Sequence, residues 1–136
     1  MDEIDFQILE ILKENSRKPW KEIGESIHMT GQAVGNRIRR MEEDGVIEQY
    51  TIAVNELKLG KSIQAFITAF LKSNHHLEFQ KYVKGNPDIK EVHRISGEGC
   101  YIITASISNQ FDLNKTLDDI LKYANYRVNI SIGKIK

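Results

Sequence analysis

Cysteine occurs once in the 136 residues, at Cys100. A single thiol excludes an internal disulfide framework and leaves no ligand set for a Cys-based zinc site within one chain. Long hydrophobic runs are missing as well. The longest, Ala65 to Leu71, contains Thr68 and falls far short of the roughly 20 residues that span a bilayer. The opening residues, MDEIDFQ, are acidic and offer neither the positive region nor the apolar core of a signal peptide. A cytoplasmic location with no membrane partner is therefore expected. No sign of charge is in excess: 19 Lys and Arg balance 19 Asp and Glu, so no global field announces a polyanionic partner. Catalytic signatures are absent too, with no nucleophile elbow, phosphate-cradling loop or His-Glu-x-x-His.

What is present is an ordinary globular balance, 40% hydrophobic and 28% charged, in a chain long enough for one domain or two small ones. Charge is uneven along it. Lys13 to Arg40 holds seven cations against three anions, with acids flanking the stretch on both sides. Such a patch can steer a polyanion locally.

Ile4, Ile8, Leu9, Ile11 and Leu12 recur at helical spacing and predict a first helix over Asp2 to Asn15. Pro19 suits the first turn of a second helix, where its missing N–H is no loss. That helix is expected to reach Ile27 and to bury Trp20, Ile23 and Ile27 on one stripe. His28 and Met29 form a tight turn. Thr30 caps a third helix that runs to Asp44 and is stopped by Gly45 in the left-handed conformation.

On the third helix Val34, Ile38 and Met41 must face the core. Gln32, Asn36 and Arg39 then fall on the opposite side, with Gly35 and Arg40 beside them. Arg bidentate to guanine, and Asn or Gln bidentate to adenine, are the pairings that read base edges in duplex DNA. Gly31 and Gly35 each lower helix propensity by roughly 1 kcal/mol against alanine, which suggests a thin surface where the backbone approaches something closely. Arg37 lies nearer the core boundary, equally suited to a structural salt bridge or a phosphate contact. Lys21 and Arg40 are placed near phosphates. Two helices joined by a short turn, the second polar and basic outward, make a helix-turn-helix. The bland reading is a solvated amphipathic helix with ordinary surface arginines. Val46 to Val54 alternates loosely and is expected as a strand or short wing.

Beyond Gly60 the pattern predicts a strand over Ser62 to Leu71, a helix over His75 to Gly85, and a turn at Asn86-Pro87-Asp88. A strand over Ile89 to Ser96, a loop at Ser96 to Gly99, and a strand over Cys100 to Ser108 follow. A helix over Gln110 to Ala124 and a strand over Val128 to Ile135 complete the order βαββαβ. This is the ferredoxin-like arrangement, an α+β sheet with both helices on one face. The expected division is residues 1–50 for the helix-turn-helix, 51–61 for a linker strand or hinge, and 62–136 for the ferredoxin-like domain. Ile63, Ala65, Ile67, Ala69 and Leu71 point one way on the first strand while Phe66 and Phe70 point the other. Aromatics left wet on an open sheet face mark an interface, so a homodimer through the sheet is expected.

Several stretches in register carry a family resemblance. They are Asp2-x-x-Asp5-x-x-Ile8-Leu9-x-x-Leu12, Glu22-Ile23-Gly24, Met29-Thr30, Val34-x-x-Arg37-Ile38-Arg39-Arg40-Met41-Glu42, Gly45-Val46-Ile47-x-x-Tyr50 and Leu59-Gly60. Together the chain resembles the Lrp/AsnC, or feast/famine, family of prokaryotic transcriptional regulators. The resemblance implies duplex DNA as partner, pairing of C-terminal domains sheet to sheet, growth of dimers into tetramers or octamers, and no cofactor beyond an amino-acid effector bound between subunits. It places that effector at the loop Ser96, Gly97, Glu98, Gly99 and Cys100. There the family's usual aspartate is replaced by Cys100, and a thiol cannot supply the carboxylate that would pair with an ammonium group. Glu98 could substitute two residues away; equally, the loop could serve another ligand, or simply link two strands. Two further departures are Gly24, where alanine is usual, and His28, where the turn usually has glycine; His tolerates positive φ better than most residues.

His75, His76, His93 and Cys100 could be metal ligands or a Cys-His nucleophile pair, but adjacent histidines point apart and no third partner is evident, so an enzyme is not expected. A small-molecule sensor without DNA binding, or an oligomeric DNA-organising protein without effector response, remain as alternatives to a regulator.

Overall fold

The computed structural model describes residues 1–136. The chain divides into two compact units, Met1–Ala53 and Val54–Lys136.

In the first unit, α1 (Glu3–Glu14), α2 (Trp20–Ile27) and α3 (Gly31–Glu43) pack around Ile8, Leu12, Ile23, Val34, Ile38 and Met41. Each helix start has a local cause. Asp2 and Asp5 form a reciprocal capping box, each carboxylate accepting the other's backbone N–H at 3.0 and 2.9 Å. Pro19 is the N-cap of α2. Thr30 Oγ1 accepts the Ala33 N–H at 3.2 Å and caps α3. The α2–α3 turn depends on His28 at φ +58, the one non-glycine residue with positive φ, and on Gly24, where an added Cβ would lie 2.3 Å from the Met29 carbonyl oxygen. Gly24 thus lets the turn fold back on α2.

One expectation fails here for steric reasons. Trp20 is 43% exposed rather than part of a buried stripe, because its ring slides along α3 onto Gly35. The two helical glycines are thin for internal packing: a Cβ on Gly35 would lie 2.5 Å from two ring atoms of Trp20, and one on Gly31 would lie 3.1 Å from the Lys21 backbone nitrogen. Gly35→Ala should therefore displace the indole. Its gain in helix propensity is outweighed by lost packing, and we expect a net destabilisation of about 1 kcal/mol. A red shift of the emission of this single tryptophan, with a lower melting midpoint, checks this; unchanged emission would contradict it.

Val46 to Val54 forms no strand. A lone extended segment has no ladder partner in the chain, and side chain and backbone hold its start instead. Val46 and Ile47 N–H donate to the Met41 carbonyl, and Tyr50 Oη donates to Glu42 at 2.7 Å.

The second unit begins earlier than the expected linker allows. A short 3-10 helix, Glu56–Leu59, is tied to the sheet domain by the ion pair of Glu56 with Lys90, and Lys61 just after it pairs with Asp88. Then come β1 (Ile63–Leu71), α4 (His76–Gly85), β2 (Ile89–Arg94), β3 (Tyr101–Ile107), α5 (Gln110–Leu121) and β4 (Ala124–Ile130). The strands order β2-β3-β1-β4, all neighbours antiparallel. This is the ferredoxin-like α+β arrangement expected from the sequence. Ala65, Ile67, Ala69, Tyr101, Ile103, Ala105 and Ile107 pack under Phe79 and Val83 of α4 and Leu113, Leu117 and Ile120 of α5. β4 begins four residues before the expected Val128 and ends at Ile130 rather than Ile135. Its register, Leu71↔Ala124 to Ala65↔Ile130, alternates Tyr126 and Val128 against Asn125, Arg127 and Asn129. Those polar residues face away from the helices.

Candidate nucleic-acid interface

α3 turns Val34, Ile38 and Met41 fully inward, leaving Gln32, Asn36, Arg39 and Arg40 exposed, with Lys21 exposed on α2. The amide and guanidinium groups of the expected reading set thus share the solvent side of one helix. Gly35 does not join them, being buried beneath Trp20. Arg39 is ordered within the set: its Nη1 donates to Asn36 Oδ1 at 3.3 Å, and its guanidinium carbon lies 5.8 Å from the Trp20 ring centroid. Thr30, also expected at the interface, has its hydroxyl oxygen engaged in the helix cap.

Arg37 takes the structural alternative. Its Nη1 donates to Asp2 and Asp5, both at 2.8 Å; the Arg37 side chain is 24% exposed, while the Asp5 side chain is fully shielded. Arg40, half-exposed, donates its Nη2 to the same Asp5 at 2.9 Å. Burial would push the Asp5 carboxyl up, but the Arg37 hydrogen bond, the Asp2 N–H and the two guanidinium charges outweigh it and hold it below its ordinary value. The Arg37 hydrogen bond also lowers Asp2. A carboxyl lowered in the folded state stabilises fully above its ordinary value of 3.8 and loses that contribution as pH falls through the lower folded value. Melts from about pH 5 to about pH 2 should show the advantage of wild type over Asp5→Asn shrinking as acid is added; a difference independent of pH would contradict the pairing.

These pairs also revise the charge picture. The first unit carries eleven acidic residues against seven basic ones, so Lys21, Arg39 and the outer side of Arg40 are exposed cations within a negative unit. Sequence reasoning missed Trp20 as part of this surface, since an apolar residue at helical spacing reads as core.

In the second unit the sheet face opposite the helices carries Phe66, 47% exposed, with Ile102, 41% exposed, and the part-exposed Phe70. Arg127 lies 5.3 Å over the Phe70 ring and donates to Glu98 at 3.5 Å, a link that sequence reasoning also missed. The loop after β2 has Gly97 at φ +118 and Gly99 at φ +93. A Cβ on Gly99 would meet Thr68 Cγ2 at 2.6 Å, and Cys100 N–H donates to the Ala69 carbonyl at 2.8 Å. Glycine therefore lets the loop lie against β1. Cys100 is half-buried against the core, whereas Ser96 and Glu98 are exposed.

The residues of the enzyme reading are dispersed. His75 pairs with Glu78 at 2.8 Å, and His76 Nδ1 lies 2.8 Å from Tyr101 Oη. His93 sits opposite Ile102 on the open face. No group of three or more His, Cys, Asp or Glu is placed to hold a metal, and no helix is long and apolar enough to cross a membrane.

Comparison with known proteins converges on one family. Residues 1–42 match the AsnC-type helix-turn-helix domain, and residues 64–136 match the Lrp/AsnC ligand binding domain. The chain is 48% identical to the HTH-type transcriptional regulator LrpB of Bacillus subtilis over 136 residues, covering all of this chain and 91% of that one. It superposes on B. subtilis LrpC with a TM-score of 0.96 at 29% identity, covering 100% and 97% of the two chains. It shares its fold with the transcriptional regulator NMB0573 of Neisseria meningitidis, solved as an L-Met complex, with a TM-score of 0.93 at 23% identity over 100% and 92%. With the helix-turn-helix and the four-stranded domain both matched, the chain belongs to the Lrp/AsnC family of DNA-binding transcriptional regulators, which are not enzymes.

Proposed function

We propose that α3 enters the major groove with Gln32, Asn36 and Arg39 toward base edges and with Arg40 and Lys21 toward phosphates. The carrying observation is that one helix buries Val34, Ile38 and Met41 while exposing two amides and a guanidinium on its other side. Thr30 and Arg37 are support: one caps α3, the other ties it to α1. Phosphate contacts set register and make affinity fall with salt, while base contacts discriminate sites. A second copy, joined through the open sheet face, would present a second α3 and suit a pseudo-palindromic site with half-sites about 34 to 36 Å, or a multiple, apart. Tetramers and octamers extend the same reading. The cytoplasm is where such a protein meets chromosomal DNA.

A small effector would sit at the loop Ser96 to Cys100, where Gly97 borders open space and Glu98 and Arg127 supply opposite charges. An amino acid is supported by the L-Met complex of the Neisseria protein, with Glu98 as the carboxylate that Cys100 cannot be. An effector acts only by preferring one assembly geometry over another. Selection of bound genomic fragments with and without a panel of amino acids tests this part.

Arg39→Ala should weaken binding to a selected duplex by about 1 to 3 kcal/mol and relax specificity. An anisotropy titration with unchanged affinity would refute the role of Arg39.

A further inference from the structure

Trp20 is a single tryptophan, begins a helix, and is 43% exposed. An indole so placed needs a reason, since exposing its apolar area is unfavourable. Two contacts supply it. One face lies on Gly35, whose missing side chain is the seat: any Cβ there would be 2.5 Å from the ring. The ring also carries the Arg39 guanidinium, 5.8 Å from its centroid, and Arg39 reaches Asn36 at 3.3 Å. Trp20, Asn36 and Arg39 are therefore one contiguous cluster on the solvent side of α3, seated on the buried Gly35.

We propose that Trp20 is a positioning residue for DNA specificity: seated on Gly35, it stacks the Arg39 guanidinium and presents it, with Asn36, in a restricted set of directions. The inference rests on the reading of α3 given above. Its physical basis is preorganisation. A free arginine side chain loses much rotamer freedom when it makes a bidentate contact, and a guanidinium already held by a cation–π stack and one hydrogen bond loses less. The effect belongs to base reading, because a phosphate contact tolerates many guanidinium directions and a bidentate base contact does not. Trp20 also flanks the reading face, so a bound duplex covers its exposed edge.

The test uses the full chain, a duplex that the wild-type protein selects from a random-sequence pool, and a mixed-sequence duplex of the same length. Trp20→Leu should weaken binding to the selected duplex by about two- to fivefold, as loss of one exposed cation–π stack implies, with a distinctly smaller change on the mixed-sequence duplex. Trp20→Phe should recover most of the loss. In an Arg39→Ala background Trp20→Leu should have no further effect on the selected duplex. Circular-dichroism melts fix the folded fraction of each variant, for which affinities are corrected. Acrylamide quenching of Trp20 emission should fall when the selected duplex is bound.

Additive losses in the double variant, an equal loss on both duplexes, no rescue by phenylalanine, or quenching unaltered by bound DNA would each overturn the proposal. If Arg39→Ala alone leaves the selected duplex bound as tightly as before, it is the reading of α3 that fails, and the positioning role falls with it. That result is distinct from one in which Arg39 matters and Trp20 does not.

Discussion

Asp5→Ala should lower the stability of the Met1–Ala53 unit by about 2 to 3 kcal/mol. The shielded carboxylate accepts from Arg37 at 2.8 Å, Arg40 at 2.9 Å and the Asp2 N–H at 2.9 Å. Alanine leaves these donors without their common partner and removes half of the capping box. Asp5 is covered by its own partners rather than by depth, because a unit of this size has little interior. Water therefore replaces part of what is lost, and the figure stays near the worth of one or two charge-assisted hydrogen bonds. Small cores rarely supply more than about 3 to 5 kcal/mol, so the loss is most of the margin, and the melting midpoint of this unit should fall by roughly 10 °C or more. Thermal melts of the full chain check it; a midpoint within error of wild type would show that the network contributes little. The variant also separates two roles for Arg40. Where the unit remains folded, Arg37 keeps Asp2 while Arg40 loses its carboxylate partner and one negative charge beside α3 is gone, so binding to mixed-sequence DNA should tighten and its salt dependence steepen. A guanidinium already on a phosphate would give neither change.

The second large effect is expected at the open sheet face. Changing both Phe66 and Phe70 to Ser should dissociate the proposed dimer, giving a light-scattering mass near the single-chain 15.7 kDa. In a twofold pair four rings are affected. Each ring is only partly exposed in a single copy, so about 1 to 2 kcal/mol per ring is the appropriate scale, or about 4 to 8 kcal/mol in all, a thousandfold or more in the dissociation constant. Phe66 should carry more of it, because Arg127 already covers Phe70 within one copy. The rings alternate with Gln64 and Thr68 away from the core, so the change leaves Ala65, Ile67 and Ala69 in place. A mass unaltered by the double change would reject this face as the interface.

Periodicity was sufficient wherever one face of an element is buried. The inward row of α3 and the alternation of β1 follow from Val34, Ile38 and Met41 and from Ala65, Ile67 and Ala69, because burial and spacing carry the same information there. The elements that sequence misplaced depend on distant partners. β4 starts at Ala124 because Leu71 pairs with it, while Asn125, Arg127 and Asn129, polar on the open face, read locally as a connection. Val46 to Val54 has the alternation of a strand but no neighbour to form a ladder. Trp20 reads as core until Gly35, on the next helix, is seen to receive its ring. Arg37 could not be assigned from its own helix, since the carboxylates that hold it belong to α1. The loop at Gly97 and Gly99 was legible as a turn, and its closeness to β1 was not, because only the pairing of β1 with β3 brings Gly99 against Thr68.

The central claim is that the solvent side of α3 reads DNA sequence. It is tested most directly by the ratio of affinities for a selected and a mixed-sequence duplex, measured at one salt concentration for wild type and for the triple variant Gln32→Ala, Asn36→Ala, Arg39→Ala. All three side chains are exposed, so the variant should keep its helical circular dichroism. The ratio should collapse toward one while mixed-sequence binding largely persists. A folded triple variant that discriminates the two duplexes as well as wild type does would contradict it.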